Sequence, residues 1–436
     1  MRQIDQKHYD VVVVGAGQSG LSISYLLKQN NIEHIILERN EVASSWIHQR
    51  WDSFTLNTPN WMNLLPGMKL HATEDKEAFK TNRQYINNLQ HYAQSYQLPI
   101  SENTEVTTIH YKANKYHITI CKDNTYTSLT SNQLVVASGK MSNYNNPTFS
   151  PSIPFHIKQL NAAEYKKPSQ ISGNVLIVGS GQSGVQIAEE LALNQYLDKE
   201  KIYLATSQVA RSPRRYRGKD MMEWLNIMGI MDMRTDELDD ISISRQTQPQ
   251  VSGLGVYGHT ISLQDLHQKG VTLVGKMKAT TTKAVLFADN IKQNIAFADL
   301  GSEKLKTLVD NYLNKTHQDK LHPKELIDQA DVPDSNFESA SNIVELNFDC
   351  IDTIIWAMGY RSDFSYLQIP NVLTKQGEPL HNNGISPQKG LYYLGFPWLI
   401  KRKSGIIFGI TEDAETICTQ IIQNSSNNSN YEIPTL

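Results

Sequence analysis

Val11-Val12-Val13-Val14-Gly15-Ala16-Gly17-Gln18-Ser19-Gly20 is the stretch that decides the fold. Four β-branched residues read as a buried strand, and three glycines follow at the spacing Gly-x-Gly-x-x-Gly. Each glycine has its own reason. The first makes the tight turn out of the strand, the second lets backbone approach a pyrophosphate, and the third lets helix and strand pack closely. Leu21, Leu26 and Leu27 then mark a helix, whose first N–H groups and positive dipole end suit phosphate. The next apolar run, His34–Leu37, ends in Glu38, where a carboxylate would accept ribose hydroxyls. Gly15, Gly17, Gln18, Ser19, Gly20 and Glu38 therefore form a dinucleotide site, to which Arg39 and Val106 are also assigned.

The pattern returns. Val175–Val178 leads into Gly179-Ser180-Gly181-Gln182-Ser183-Gly184, and Val185, Ile187, Ala188 and Leu191 give the helix. Gly179, Gly181, Gln182, Ser183 and Gly184 make a second site. Its following strand, Lys201–Ala205, ends in Thr206 and Ser207 rather than an acid, with Arg211, Arg214, Arg215 and Arg217 close behind. Hydroxyls and guanidinium groups would bind a 2′-phosphate that a carboxylate would repel. Thr206, Ser207, Arg211 and Arg215 are the expected contacts, and NADPH the expected nucleotide. A solvated loop face is the competing reading of the arginines.

Outward from these two turns, the chain is that of an ordinary globular protein. Its 436 residues suffice for two domains, and 41 basic against 44 acidic residues leave no field for nucleic acid or anionic lipid. The apolar runs fall far short of the roughly 18 residues of a membrane span. The polar start, Met1 to Asp10, reads as no signal peptide. Cys121, Cys350 and Cys418 are scattered without a CxxC pair, so neither a disulfide framework nor a dithiol centre is expected, and a reducing cytoplasm suits them. No histidine spacing suggests a metal. Asn82–Gln97 and Ser302–Asn314 read as helices. Glu105–Tyr111, Tyr116–Cys121, Gln133–Gly139, Val271–Val274, Ala284–Phe287, Asp349–Met358 and Gly390–Leu394 read as strands. Thr411–Gln423 reads as a last helix, and the Asn/Ser-rich tail from Asn424 as frayed.

Further motifs carry a resemblance. Trp46-x-x-x-Arg50-Trp51-Asp52-Ser53-Phe54, Thr58-Pro59, Leu65-Pro66-Gly67, Pro213-Arg214-Arg215-Tyr216-Arg217-Gly218, Asp352-x-Ile354-Ile355-x-Ala357-x-Gly359-Tyr360 and Gly395-x-Pro397-Trp398, with the two fingerprints, resemble the flavin-containing monooxygenases. The likeness is closer still to bacterial relatives often labelled flavoproteins of potassium transport. It implies an α/β fold of two Rossmann-like dinucleotide-binding domains, the NADPH domain inserted into a discontinuous FAD domain. The expected division is 1–150 and 341–423 for FAD, 151–340 for NADPH, and a flexible tail at 424–436. The Asp352–Tyr360 motif would then belong to the FAD domain. The resemblance adds Trp46, Arg50, Trp51, Ala137, Gly139, Ala357, Gly359 and Asp413 to the cofactor contacts. The helix near Thr411 would aim its N-terminus at the flavin. Lys401–Lys403 read more simply as a solvated basic loop.

The activity so implied is an FAD-dependent, NADPH-consuming insertion of one oxygen atom from O2 into a small organic substrate, through a C4a-(hydro)peroxyflavin. Asn57 is the implied catalytic donor, although Asn before a Pro-containing turn reads equally as a turn residue. One departure stands out. The family's identifying motif has a glycine and a histidine where this chain has Ile157 and Asn161, between Phe155 and Tyr165. A flavin reductase or oxidase without oxygen insertion is the alternative. Neither nucleic acid nor membrane is an expected partner; a homo-oligomer is compatible with the sequence.

Overall fold

The structure is a computed structural model; it describes residues 7–145, 147, 150–194, 200–245, 247–324, 327–335, 337 and 342–429. Two sheets organise it, each with one fingerprint strand in its interior. The first runs Ile100–Ser101, His34–Leu37, His8–Val14, Thr125–Val136, Lys115–Lys122, Glu105–Lys112. Its first four strands are parallel, and an antiparallel meander completes it. Leu391–Tyr393 adds a further parallel strand beside Leu134–Val136. The second sheet is parallel throughout, in the order Val271–Val274, Ile202–Ala205, Val175–Val178, Thr353–Trp356, Lys158–Asn161. Its central strands are fully buried, as continuous apolar runs with helices on both faces require.

The α/β class and the doubled Rossmann-like architecture expected from the sequence are what the structure has. One strand changes sides. Thr353–Trp356, expected with the first unit, pairs with Val175–Val178 and Lys158–Asn161 of the second sheet. Four β-branched or aromatic residues bury on both faces there, and nothing local in them names the sheet they join. The chain touches the first sheet again through a single parallel bridge from Leu367 to Ile109, and adds a strand to it at Leu391–Tyr393. The two crossings meet: Asn143–Tyr144 pairs antiparallel with Tyr360–Arg361, and their tyrosine rings lie 5.7 Å apart.

Two helices are longer than the sequence suggested. Ile291–Lys315 begins eleven residues before the expected start at Ser302. The last helix is Ile407–Ser429 and packs on the first fingerprint helix, Gln18–Gln29. The segment from Asn424 to Ser429 is therefore helical rather than frayed, and residues 430–436 lie outside the described residues. The early start also places Thr411-Glu412-Asp413 in the second turn, so the N-terminus expected near Thr411 lies at Ile407. Nor is the basic loop simply solvated. Lys401 and Lys403 both pair with Asp232 and Glu412, and Lys403 is buried.

Asp413 is buried under this turn. Its Oδ1 accepts from Ser404 Oγ at 3.1 Å, while Ser404 Oγ accepts from the N–H groups of Ile400 and Lys401. Its Oδ2 has no hydrogen-bond partner among the described residues. Burial, reinforced by the Glu412 charge, pushes its carboxyl up to about 7. An unfolded aspartate titrates near 4, so between about pH 4 and 7 the folded chain holds a proton that the unfolded chain releases. Stability from this group is full below that window and is lost as pH rises through it. Asp413→Asn should therefore be more stable than the parent at pH 8, by about 2–4 kcal/mol, with no difference at pH 4. Urea unfolding at both pH values checks this; a difference that does not change with pH refutes it.

Candidate functional site

Each fingerprint is a turn built on contacts that exclude a side chain. Gly15 has φ 105°, and a Cβ there would lie 2.6 Å from Ala137 O; one on Gly20 would lie 1.9 Å from Gly15 O. The second copy repeats this. Gly179 has φ 111° over Ala357 O, and a Cβ on Gly184 would stand 1.8 Å from Gly179 O. Such φ values are open only to glycine in practice. The middle glycines differ. Gly17 and Gly181 are N-caps in extended conformation, without a side-chain cap, and a Cβ on either would meet nothing within 4 Å. Two helix N-termini thus present uncapped N–H groups to an open space, which fits a pyrophosphate at each.

Around the first turn, Glu38 is buried, its Oε2 accepting from Ala16 N at 2.7 Å and its Oε1 from Asn40 N at 3.0 Å. Burial pushes its carboxyl up. Trp46 Nε1 donates to Gln18 Oε1 at 2.9 Å. Arg50 lies over the rings of Trp46 and Phe54, at 5.0 and 5.4 Å, with hydrogen bonds to Gln49 O and Met141 Sδ. Burial lowers the pKa of its guanidinium, and among the described residues no carboxylate pairs with it. The half-buried guanidinium is thus only partly compensated, and a pyrophosphate would supply the missing charge. Ser19 is buried beneath Gly395. Gly139, φ 76°, faces open space next to Ala137. Arg39 is exposed beside Glu38. Val106 is buried two residues beyond Thr104, whose N–H donates to Glu38 O. Trp51 is a core residue, 5% exposed, with its ring edge-on to Phe54 at 5.0 Å; packing holds it.

Around the second turn, Ala357 supplies the floor beneath Gly179 and Gly184, and Gly359 follows with φ 81°. Ser207 N donates to Ser180 Oγ at 2.9 Å. Ser183 lies half-buried in the first turn of the helix Gln182–Ala192. Gln182 reaches away to Pro249 O at 2.7 Å. Two expected contacts are corrected. Thr206 is buried, its hydroxyl donating to Val274 O and accepting from Asn294 Nδ2 of the helix Ile291–Lys315, so sheet and helix engage it within the fold. Arg211 is buried between Asp299 at 2.6 Å and Asp331 at 2.7 Å. Arg214 pairs with Asp220, and Arg217 with Asp310 and Asp319. Three of the four arginines are thus internally neutralised. Arg215, over the Tyr257 ring at 5.4 Å, has no carboxylate within ion-pair distance among the described residues.

Asn57 lies where the two units touch. Its Oδ1 accepts from Gln186 Nε2 at 2.9 Å, on the second fingerprint helix, and its backbone O accepts from Arg214 Nη1 at 3.0 Å. The neighbouring Leu56 O lies where a Cβ of Gly253 would be, 2.0 Å away. Gln186, Gln250 and Ser180 were not singled out from the sequence. For Gln186 a signal existed: it stands four residues after Gln182, on the same helix face. Asn161, in place of the identifying histidine, closes a turn, its N–H and Nδ2 both donating to Glu164 Oε2.

Two outcomes are expected. Gly181→Ala should keep the parent's melting temperature and weaken NADP⁺ binding about tenfold or more, whereas Gly184→Ala should cost about 1–3 kcal/mol or more of stability. Calorimetric binding and thermal melts distinguish them, and unaltered affinity in Gly181→Ala would rule the cradle out. Arg211→Ala should lose about 1–3 kcal/mol by removing one partner from each of Asp299 and Asp331, which keep Gln264 and Lys306, while the NADP⁺/NAD⁺ affinity ratio stays at the parent value. A shifted ratio with unchanged stability would restore Arg211 as a selector.

Comparison with known proteins agrees with this geometry. Residues 12–225 match the family model described as pyridine nucleotide-disulphide oxidoreductase. An uncharacterized CzcO-like oxidoreductase of Geobacillus kaustophilus is 30% identical over 417 residues, spanning 95% of this chain and 98% of the relative. A probable indole-3-pyruvate monooxygenase of Arabidopsis thaliana, YUCCA8, is 25% identical over 400 residues, 88% of this chain and 83% of its own. Among solved structures, a flavin-containing monooxygenase from Stenotrophomonas maltophilia superposes with a TM-score of 0.63 at 19% identity, covering 96% of this chain and 99% of that one. With its paired fingerprints and full-length likeness, the chain belongs to the CzcO-like oxidoreductases and has the fold of the flavin-containing monooxygenases.

Proposed function

We propose that this oxidoreductase is a flavin-dependent monooxygenase, binding FAD at the Gly15–Gly20 turn and NADPH at the Gly179–Gly184 turn. The balance is NADPH, a proton, O2 and substrate in, and NADP⁺, water and singly oxygenated substrate out. FAD supplies the chemistry the side chains lack, accepting hydride and activating O2. The chain's own residues bind, orient and exclude water. Glu38 would turn its carboxylate to ribose hydroxyls, Arg50 would neutralise phosphate, and the two uncapped helix N-termini would hold the pyrophosphates.

The observation that carries this reading is Asn57. It stands on the first unit, yet two residues of the second hold it, and its Nδ2 has no acceptor among the described residues. A carboxamide fixed at the meeting of two dinucleotide sites can donate a hydrogen bond to a reacting oxygen. The names of the Arabidopsis relative and the Stenotrophomonas structure support oxygen insertion. The family description mentions disulphide, but Cys121, Cys350 and Cys418 are all free. One observation favours the reductase or oxidase reading. Asn161 spends its donors on Glu164, so it does not replace the histidine's ring.

The test is single-turnover oxidation under ¹⁸O2 of the NADPH-reduced protein with a panel of amines, thioethers, ketones and 2-oxo acids. One labelled oxygen in product and less than one peroxide per NADPH is the expected result. Stoichiometric peroxide with every compound would leave only the oxidase.

A further inference from the structure

Gln186 makes contacts that a plain helix residue would not need. Its Nε2 donates to Asn57 Oδ1 at 2.9 Å and to Val251 O at 3.1 Å. One helical turn earlier, Gln182 Nε2 donates to Pro249 O at 2.7 Å, and its Oε1 accepts weakly from Val251 N at 3.4 Å. Both glutamines therefore grip residues 249–251, and the segment beyond packs Gly253 against Leu56 O. Gln250 pins the same segment from below, donating to Ser180 O inside the second fingerprint.

A carboxamide has two orientations related by a half-turn of its last torsion, nearly equal in shape and opposite in hydrogen-bonding sense. In one, Asn57 presents Oδ1 to Gln186 and leaves Nδ2 free to donate. In the other, Nδ2 would face Nε2, donor against donor. One neutral hydrogen bond biases such a pair on the order of tenfold. We infer that Gln186 is a positioning residue, fixing the Asn57 carboxamide with Nδ2 as its free limb and registering it against the helix that binds the nicotinamide dinucleotide. The inference rests on the reading of Asn57 as the donor to a reacting oxygen. It adds that the donor's sense is set from the second unit rather than by its own turn.

Two near-isosteric variants test it. Gln186→Met keeps the length and removes the donor. Gln186→Glu reverses the polarity, so its carboxylate would attract Nδ2. In the ligand-free protein, the Asn57 side-chain amide pair is assigned by its loss from the ¹⁵N–¹H spectrum of Asn57→Ala. That pair should shift in both variants, and NADP⁺ should move it in the parent but not in Gln186→Met. In the flavin-loaded enzyme, peroxide per NADPH should rise about threefold or more in Gln186→Met, with the KM for NADPH within about twofold, and Gln186→Met should add nothing in an Asn57→Ala background. An amide pair unmoved in both variants would overturn the inference, as would an equal rise in peroxide with Asn57 already removed. Failure of the functional reading looks different: the parent protein would itself release one peroxide per NADPH, whatever the amide spectra show.

Discussion

The helix Gln18–Gln29 approaches its strand so closely that the carbonyl of Gly15 occupies the place of a side chain on residue 20. Gly179 and Gly184 repeat the contact in the second unit. Most of the remaining site depends on this approach. It brings each helix N-terminus to the end of its sheet, and it sets Ala137 and Ala357, where the chain leaves each sheet, directly beneath the turn. A crossing chain must pass here because the carbonyl ends of the central strands point here. A ligand binds here for the same reason, since the crevice at the carboxyl ends of parallel strands is lined by helix N-termini. The two crossings then pair with each other through Asn143–Tyr144 and Tyr360–Arg361, so the cofactor turns and the joint between units form one construction.

What was legible in the sequence follows from what is local. The roles of the three glycines depend on residues within one turn of each other or on backbone alone, and the spacing predicted both glycine turns. His34–Leu37, Val271–Val274 and Ala284–Phe287 are strands with the expected bounds. Thr353–Trp356 was legible as a strand but not as a member of the second sheet, because its partners lie about 180 residues earlier and its apolar pattern suits either core. The arginine run failed for the same reason. A cluster of guanidinium groups next to a nucleotide strand reads as phosphate binding until Asp299, Asp310, Asp319 and Asp331 are seen to reach back across 88 residues or more. Charge close in sequence is no guide to charge that is free in space.

Those acidic residues also explain the long middle segment. The helix Ile291–Lys315 carries Asp299 and Asp310, so its ion pairs hold the segment after Ile202–Ala205 in place. From that base, residues 249–259 cross to the first unit. Gln250 reaches Ser180 O, Phe79 N donates to Val256 O, and Tyr257 donates to Asp75 Oδ2 at 2.9 Å. His259 and Lys269 both pair with Glu189, which is buried on the second fingerprint helix. The elaboration is a strap tying the second helix to the segment that carries Asn57. A reaction passing from one dinucleotide to another needs the two sites held at a fixed separation, and a strap with bonds at both ends provides that more firmly than the two crossings alone.

Arg50 shows how the same accounting separates structural charge from charge kept for a ligand. Arg211, Arg214 and Arg217 are buried, yet each has its carboxylate, so their desolvation is offset within the fold. Arg50 has aromatic faces, one carbonyl and a thioether, and no anion among the described residues. Ring faces return only about 0.5–2 kcal/mol to a cation, and the half-buried guanidinium keeps part of its contact with water. On the proposed reading, Arg50 would meet a pyrophosphate held by the uncapped N-terminus of Gln18–Gln29, and that anion would supply the charge its surroundings lack.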